Sequence, residues 1–322
     1  MNVRAGLLIG LLAALLPLSV GAQTFPTRPV KMILPFPAGS ATDGVSRYIA
    51  AELQKGLGQP VVIENMPGAD GIIAAQAAKR AAPDGYTLFV STNSAHGVNS
   101  AIYTSLPYDP EKDFDPVAGF IQIPQLMVVR ADFPANDVAS FVRLGQSRPA
   151  GKDLTFGSGN TSSRVAAELV KLGGNVAMTE IPYKGTPQAL QDLMGGQIDM
   201  FFSDPFAAMG LIEGNKIKVL AVADVKRLPA LPKVPTMVEA GLPDVKVVSF
   251  VALFAPSNTD PEIVTRLNRE VNRILEQPQT KDYIQKIGAT PLVLSPAELG
   301  RFVSGEIARW GKLVEIARIP KK

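Results

Sequence analysis

The chain has 322 residues, of which 32 are Lys or Arg and 29 are Asp or Glu, so its formal net charge is +3 at pH 7. This even balance, without a basic stripe interleaved with aromatic residues, argues against a nucleic-acid-binding protein. The chain has no Cys and one His, which leaves no disulfide framework and argues against a zinc or iron site. No acidic loop of the calcium-binding type is present, so we predict no metal site.

The N-terminus has the three parts of a secretory signal peptide. Arg4 supplies a positive charge, residues 7–18 form a short apolar core, and Val20-Gly21-Ala22 is a small-residue cleavage site. We predict cleavage after about Ala22 and export to the periplasm, and we assign residues 1–22 to the signal peptide. No later apolar run is long enough to span a membrane, so the mature chain is predicted to be soluble.

The first predicted strand, residues 30–34, runs through two prolines into a loop of small residues and then into a helix expected to begin near Asp43 or Gly44. The first N–H groups of a helix have no partner within it, and the helix dipole favours an anion there. We therefore interpret this loop as an anion receptor, although an ordinary connection capped by Asp43 fits the same residues. The candidate ligand-binding residues here are Phe36, Pro37, Ala38, Gly39, Ser40 and Asp43.

Alternating strands and helices continue to about Ile123. Short apolar runs at residues 61–63 and 87–90 predict two further strands, and an Ala-rich segment at residues 70–82 predicts a helix between them. Strands joined in this way pair in parallel through right-handed crossovers.

A polar loop, residues 91–99, follows the third strand. Ligands bind beyond the carboxyl ends of such strands, so this loop should lie at the same edge of the sheet as loop 36–43. Its candidates are Ser94 and His96. His96 is open to interpretation as a ligand donor, a base or a surface residue, since no residue order around it makes a credible catalytic triad.

A second unit of the same kind runs from about residue 126 to residue 245, and its loop 157–163 is rich in Gly and Ser. Its predicted strands are residues 154–156, 178–181, 198–202 and 217–222. By the same reasoning, this loop is a second anion receptor, in which capping and ligand contact would use the same atoms. Its candidates are Ser158, Thr161, Ser162 and Ser163.

The same loop partly matches a dinucleotide-binding fingerprint. Gly157, Gly159 and Ser162 have the right spacing, and Glu180 follows about 20 residues on. The third glycine is missing, and a diffusible dinucleotide is scarce outside the cytoplasm. A dinucleotide-dependent enzyme therefore stays only as an alternative.

Arg164 stands at the start of the helix after this loop, where a cation opposes the helix dipole. It is interpreted either as the partner of a ligand carboxylate or as a solvated surface residue. Asp204, Tyr183 and Phe250 are further candidates, the two aromatics as apolar walls or core residues. Lys184 and Gly185 complete the candidate set.

The last part of the chain predicts a return to the first unit. Residues 245–254 form a long β-rich run, and helices are predicted to open at Asp260-Pro261 and at Ser295-Pro296-Ala297-Glu298, which is a capping box. Crossings near residues 121–128 and 245–254 predict an α/β fold of two hinged lobes, with two parallel-rich sheets flanked by helices. We assign residues 23–123 plus 246–322 to lobe 1 and residues 124–245 to lobe 2.

Several motifs together resemble the extracytoplasmic solute receptors of the tripartite tricarboxylate transporters, the Bug receptor family. They are Pro35-Phe36-Pro37-Ala38-Gly39 with Asp43, Ala82-Pro83-Asp84-Gly85-Tyr86-Thr87-Leu88, His96-Gly97-Val98-Asn99, Leu106-Pro107-Tyr108-Asp109-Pro110, Pro182-Tyr183-Lys184-Gly185, Gly195-Gly196-Gln197-Ile198-Asp199 and Val234-Pro235-Thr236-Met237. The resemblance covers essentially the whole mature chain.

The resemblance implies a periplasmic binding protein of the Venus flytrap type, which traps a small carboxylate between its lobes at loops 36–43 and 157–164. It implies delivery to a transporter with large and small integral-membrane subunits, action as a monomer, no cofactor and no catalysis. A sensor that feeds a membrane signalling kinase would bind the same ligands and stays an alternative.

Two positions depart from the family pattern. The family commonly has His where Arg164 stands, and Trp then Gly where Phe250 and Ala252 stand. These changes favour a dicarboxylate as the ligand, either aromatic, such as a phthalate isomer, or aliphatic. Nicotinate and amino acids stay open.

Overall fold

A computed structural model describes residues 25–322, so the predicted signal peptide lies outside the described residues. The strands are β1 (Val30–Leu34), β2 (Val61–Asn65), β3 (Thr87–Thr92), β4 (Phe114–Pro124), β5 (Leu126–Arg130), β6 (Leu154–Ser158), β7 (Met178–Pro182), β8 (Met200–Ser203), β9 (Ile217–Val222), β10 (Val248–Pro256) and β11 (Thr290–Pro291). The helices are α1 (Ala41–Leu57), α2 (Ile72–Lys79), α3 (Asn99–Ile102), α4 (Val138–Gln146), α5 (Thr161–Gly173), α6 (Thr186–Met194), α7 (Pro205–Glu213), α8 (Pro261–Glu276), α9 (Pro278–Lys286) and α10 (Pro296–Ile316).

The strands form two sheets. The first has the order β11-β4-β10-β3-β1-β2 and the second has the order β7-β6-β8-β5-β9. In the first sheet β1 pairs in parallel with β2 and β3, while β10 runs antiparallel to β3 and β4. The second sheet likewise joins parallel pairs of β6 to antiparallel pairs of β5. The predicted α/β fold with two sheets is confirmed, but the expectation of parallel-rich sheets is wrong. Both sheets are mixed because the strands next to the crossings run against their neighbours.

The chain crosses between the sheets with very little backbone. Gln125 alone separates β4 in the first sheet from β5 in the second. Three hydrogen bonds tie this crossing to the return crossing: Gln125 N–H donates to the Val247 carbonyl at 3.1 Å, Ala223 N–H to the Gln125 carbonyl at 2.8 Å, and Val247 N–H to the Ala223 carbonyl at 2.9 Å. The two crossings therefore form one joint between the sheets.

Helix α1 begins at Ala41, two or three residues before the expected start near Asp43 or Gly44. The Ser40 side chain caps it by accepting a hydrogen bond from Asp43 N–H at 3.2 Å, which satisfies one of the free N–H groups of the first turn. The predicted capping box at Ser295 and Glu298 is confirmed at the start of α10. The predicted helix at residues 70–82 is shorter, because α2 spans only Ile72–Lys79. No helix within residues 25–322 has both the length and the apolar character that a membrane crossing requires.

Helix α10 packs against both halves of the molecule. Its Leu299 and Val303 join a core cluster with strands of the first sheet. Farther along, Trp310 and Val314 join the core cluster that includes Met127 and Phe156 of the second sheet. The Trp310 side chain is fully buried. The last helix therefore adds an apolar connection between the two sheets beside the two backbone crossings.

We expect Trp310→Ala to lower the free energy of unfolding by about 3–5 kcal/mol, because it removes a fully buried indole and leaves a cavity. Urea denaturation followed by far-UV circular dichroism measures this change. Ile316→Ala is the control on the same helix, since its side chain is 50% exposed, and its effect should stay within about 0.5 kcal/mol. Equal losses in both variants would contradict the assignment of Trp310 to the core.

Candidate functional site

Four helices begin around one small pocket between the two sheets. This central pocket has a volume of ≈ 100 Å³ and contains the first residues or N-caps of α1, α5, α6 and α7, namely Ser40, Ala41, Thr42, Asn160, Ser162, Thr186 and Asp204. Each helix start carries unpaired N–H groups and the positive end of a dipole. The pocket is therefore an environment that favours an anion.

Two larger cavities adjoin the central pocket. The polar chamber, ≈ 360 Å³, is lined by charged side chains that include Arg164, Glu180, Lys184, Asp70 and Lys322. The apolar chamber, ≈ 480 Å³, is lined mainly by Pro37, Pro187, Leu190, Met194, Phe206 and Leu211. Phe36 and Asn160 line all three cavities, so they stand where the cavities meet.

The loop before α1 is held in place by Asp43. Its Oδ2 accepts hydrogen bonds from Gly39 N–H at 2.9 Å and Arg47 Nε at 3.0 Å, and its Oδ1 accepts one from Asn65 Nδ2 at 2.9 Å. Burial raises the pKa of the Asp43 carboxyl, but the hydrogen bonds from Arg47, Gly39 and Asn65 outweigh it and hold the pKa below its usual value. Gly39 has a φ of 83°, which favours glycine. Asp43 lines none of the three cavities, so the structure gives it a positioning role.

The loop before α5 divides its polar groups between the helix and the cavities. Asn160 accepts a hydrogen bond from Ser163 N–H at 2.9 Å, and the Ser163 hydroxyl accepts from Gly159 N–H and Asn160 N–H, each at 3.1 Å. Ser163 is fully buried and serves the cap alone. Ser162 points the other way, because its Oγ accepts a hydrogen bond from Asn93 Nδ2 at 2.7 Å. Since Asn93 follows β3 of the first sheet, this bond joins the two halves at the central pocket.

Arg164 already has a carboxylate partner within the protein. Its Nε lies 3.0 Å from Glu180 Oε2, and Glu180 Oε1 accepts a hydrogen bond from the Ser158 hydroxyl at 2.6 Å. A cation at a helix start interacts unfavourably with the helix dipole, which suggested a ligand carboxylate as its partner. The carboxylate of Glu180 offsets this unfavourable interaction within the protein. The same contacts show what Glu180 does in the partial dinucleotide fingerprint: it pairs with Arg164 and Ser158.

His96 is not part of the cavity lining. Its ring is fully buried, stacks on Phe254 with centroids 3.9 Å apart, and places Nδ1 2.6 Å from the Ser91 hydroxyl. The loop expected after β3 is instead a π-helical turn, residues Ser94–Val98, which turns His96 into the core. The interpretation of His96 as a surface residue is therefore wrong, whereas its interpretations as a ligand donor or a base stay predictions. Burial lowers the pKa of its ring to about 3.

The other predicted residues divide among the cavities. Ser158, Thr161 and Tyr183 line the polar chamber, Ala38, Gly39 and Gly185 line the apolar chamber, and Lys184 lines both. Ser94, Ser162, Asp204 and Phe250 line the central pocket. The Tyr183 hydroxyl donates to Asp192 at 2.9 Å, and burial together with that carboxylate raises its pKa to about 12. Phe250 is buried and packs edge-on against Phe302, so it belongs to the core as well.

Sequence reasoning missed the polar residues at the joint. Gln125 lines the central pocket, is 3% exposed, and has a side-chain oxygen without a hydrogen-bond partner among residues 25–322. It lies inside the predicted crossing 121–128, where its isolation between two apolar strands was the available signal. Asn93 and Asn160 lay inside the predicted loops but were passed over in favour of hydroxyl groups.

Asp204 caps α7 through a hydrogen bond from Ala207 N–H to Oδ1 at 3.0 Å. It lines both the central pocket and the apolar chamber. Burial away from water raises the pKa of its carboxyl above the usual value. Within residues 25–322 no cluster of three metal-ligating side chains occurs.

Comparison with known proteins gives consistent matches. Residues 45–319 match the family described as tripartite tricarboxylate transporter family receptor. Protein BugT of Bordetella pertussis (strain Tohama I) is 34% identical over 296 residues, which cover 92% of this chain and 91% of BugT.

Solved structures with the same fold include two that contain carboxylates. Rpa4515 of R. palustris, with adipate, has a TM-score of 0.88 and 36% identity, over 92% of this chain and 100% of that chain. MatC from Rhodopseudomonas palustris, with bound malate, has a TM-score of 0.82 and 37% identity, over 90% of this chain and 100% of that chain. The matched family is thus described as a family of receptors.

We expect His96 to make stability depend on pH. An unfolded chain protonates this ring near pH 6.5, whereas the folded protein keeps it neutral down to about pH 3. The unfolded state therefore binds an extra proton between these values, and the free energy of unfolding falls as pH falls, by about 1.4 kcal/mol per pH unit from this group. The full contribution is present above pH 6.5.

Urea denaturation of the wild type and of His96→Phe at pH 7, 6, 5 and 4 measures this difference. The carboxyl groups contribute equally to both proteins. The free energy of unfolding of His96→Phe should therefore change less steeply with pH than that of the wild type, by about 1.4 kcal/mol per pH unit between pH 6 and pH 4. Parallel slopes would show that the folded protein protonates His96 as readily as the unfolded chain does.

Proposed function

Since the chain belongs to the receptor family of the tripartite tricarboxylate transporters, we propose that it captures a small carboxylate between two lobes in the periplasm. It delivers the acid unchanged to a membrane transporter of large and small integral subunits, and it acts as a monomer. The observation that carries this proposal is the meeting of four helix N-termini at the central pocket. Family membership confirms the resemblance predicted from the sequence.

The central pocket suits a carboxylate better than a neutral or cationic group. The backbone N–H groups at its helix starts and the hydroxyl of Ser162 can donate hydrogen bonds to both oxygens of a carboxylate. The Gln125 side-chain amide also lines this pocket, and an amide NH₂ group can donate hydrogen bonds to an anion. Adipate in Rpa4515 and malate in MatC are both carboxylates, which supports the same chemistry here.

Capture would close the lobes about the joint formed by Gln125, Ala223 and Val247. The lobes we propose are residues 23–123 plus 246–322 and residues 124–245. The hydrogen bond from Asn93 to Ser162 joins them at the pocket and stabilises the closed form. Such hinged closure around a ligand is common in binding proteins built from two lobes.

A dicarboxylate, either aliphatic or aromatic such as a phthalate isomer, is the favoured ligand. Arg164 is paired with Glu180, so the second carboxylate is not assigned to Arg164. Lys184 is exposed, lines both larger chambers, and makes no side-chain ion pair with another residue of the described chain. We therefore assign the second carboxylate to Lys184.

Asn160→Asp tests the anion pocket directly. Aspartate caps a helix as well as asparagine does, so α5 stays capped while a negative charge enters the place where the three cavities meet. We expect carboxylate affinity to fall on the order of a hundredfold, since like charges a few ångströms apart repel strongly in a partly buried site. Isothermal titration calorimetry with adipate measures the loss.

The control is Asn215→Asp, an exposed turn residue that lines none of the cavities and changes the net charge equally. It should leave the affinity unchanged. Equal affinities for both variants would refute the anion pocket. Recovery of a chemically altered acid after equilibrium dialysis would instead indicate an enzyme.

Lys184→Gln should weaken binding of a dicarboxylate about fivefold and that of the monocarboxylate of equal length less than twofold. The expected loss is modest because Lys184 is exposed, and exposed ion pairs contribute about 1 kcal/mol or less. Competition titrations with adipate and hexanoate measure the difference. Lys233→Gln, an exposed lysine outside the three cavities, is the charge-matched control, and equal losses for the two acids would count against Lys184.

A further inference from the structure

We propose that the apolar chamber binds the hydrocarbon body of the captured acid, so that the protein prefers dicarboxylates with an extended aliphatic or aromatic spacer over short hydroxylated ones. This inference rests on the proposed function, because it takes the first carboxylate to lie in the central pocket. It goes beyond that function by specifying which of the two larger cavities binds the rest of the acid.

The central pocket is too small to hold a whole ligand. Its ≈ 100 Å³ is about a fifth of the ≈ 480 Å³ of the apolar chamber, and pockets that enclose small molecules span roughly 300–1,000 Å³. A carboxylate seated there must extend its body into an adjoining cavity. Both larger chambers are within the usual size range, so their chemistry and their continuity with the central pocket decide between them.

The apolar chamber is the more continuous of the two. It shares six lining residues with the central pocket, namely Phe36, Ser40, Ala41, Asn160, Thr186 and Asp204. The polar chamber shares three with it, namely Phe36, Ser94 and Asn160. An acid whose carboxylate faces the starts of α1, α6 and α7 therefore meets more of the apolar chamber than of the polar chamber.

The polar chamber already holds its own counter-ions. Arg164 pairs with Glu180 at 3.0 Å and Lys322 with Asp70 at 3.1 Å. The charges of Arg164 and Lys322 are therefore already balanced within the protein, and a ligand that replaced Glu180 would leave a partly buried carboxylate unpaired, which is costly. Lys184, which makes no ion pair with the described residues, lines the apolar chamber as well, so it does not favour the polar chamber. The polar chamber therefore offers a second anionic group no unpaired cation that the apolar chamber lacks.

The apolar chamber favours the burial of a hydrocarbon. Its walls carry Leu190, Met194, Phe206 and Leu211 from helices α6 and α7. Asp204 lies where this chamber joins the central pocket. An anionic or hydroxyl-rich body placed here would lose its contacts with water and gain only apolar carbon and a carboxyl group as neighbours, which is unfavourable. Methylene or aromatic carbon gains from the same exchange. Lys184 lies among the lining residues and can meet the distal carboxylate of a sufficiently long spacer.

Titration calorimetry with a homologous series from succinate to suberate tests the proposal on the wild type. Each added methylene should tighten binding about fourfold until the chamber is filled, and the heat-capacity change of binding should become more negative with length. Malate should bind more weakly than adipate.

Met194→Gln tests the chamber wall. Met194 ends α6 and is 38% exposed, so a polar residue of similar size fits without burying a new polar group. We expect suberate to bind about three- to tenfold more weakly and succinate to change less than twofold. Leu172→Gln on α5, at a side chain that is 37% exposed and outside the chamber, is the matched control and should behave as the wild type.

Affinity that is flat or falls with chain length, or a preference for malate that Arg164→Ala removes, would overturn the proposal and assign the body to the polar chamber. Equal behaviour of Met194→Gln and Leu172→Gln across the series would also overturn it. Failure of the folded wild type to bind any member of the series would reject the proposed function itself, and this inference with it.

Discussion

Unsatisfied backbone N–H groups are the constraint around which the molecule is arranged. A helix start leaves several such donors without an internal partner, and α1, α5, α6 and α7 all start at the central pocket. Ser40, Asn160 and Asp204 satisfy part of this demand as caps, whereas Gly185, at the start of α6, supplies no side-chain cap. The remaining demand makes the pocket attractive to an anion, and both sheets are needed to bring the four helices together.

Charge in the cleft is largely balanced inside the protein. Glu180 pairs with Arg164, and Asp43 pairs with Arg47 behind the first loop. These pairs fix the loops, and the central pocket itself offers backbone dipoles, hydroxyl groups and amides as donors to an anion. Preorganised donors of this kind need little rearrangement when a ligand arrives, so binding energy is not spent on ordering the site.

The sequence was sufficient for the fold and for the two loops, because strand periodicity, capping residues and Gly-rich turns are local signals. It was insufficient where a side chain's role depends on distant partners. The sequence did not indicate that Arg164 pairs with Glu180, because Glu180 lies on another strand. It did not indicate that His96 is buried, because the π-helical turn that buries it has no simple pattern. Gln125 stood out as a polar residue between two apolar runs, but its place in the pocket depends on how the two sheets meet. The division of the cleft into polar and apolar chambers arises from five helices and loops together, which no single segment encodes.

The single residue between β4 and β5 also limits how the molecule can move. An extended chain spans at most about 3.6 Å per residue, so the Cα atoms of Pro124 and Leu126, two residues apart, stay within about 7 Å of each other in every state. In the proposed opening of the two lobes, this joint would act as the pivot. Groups at the outer rim would then travel the longest arc, whereas the backbone at Gln125 would hardly shift, so the rim rather than the floor would control access to the pocket.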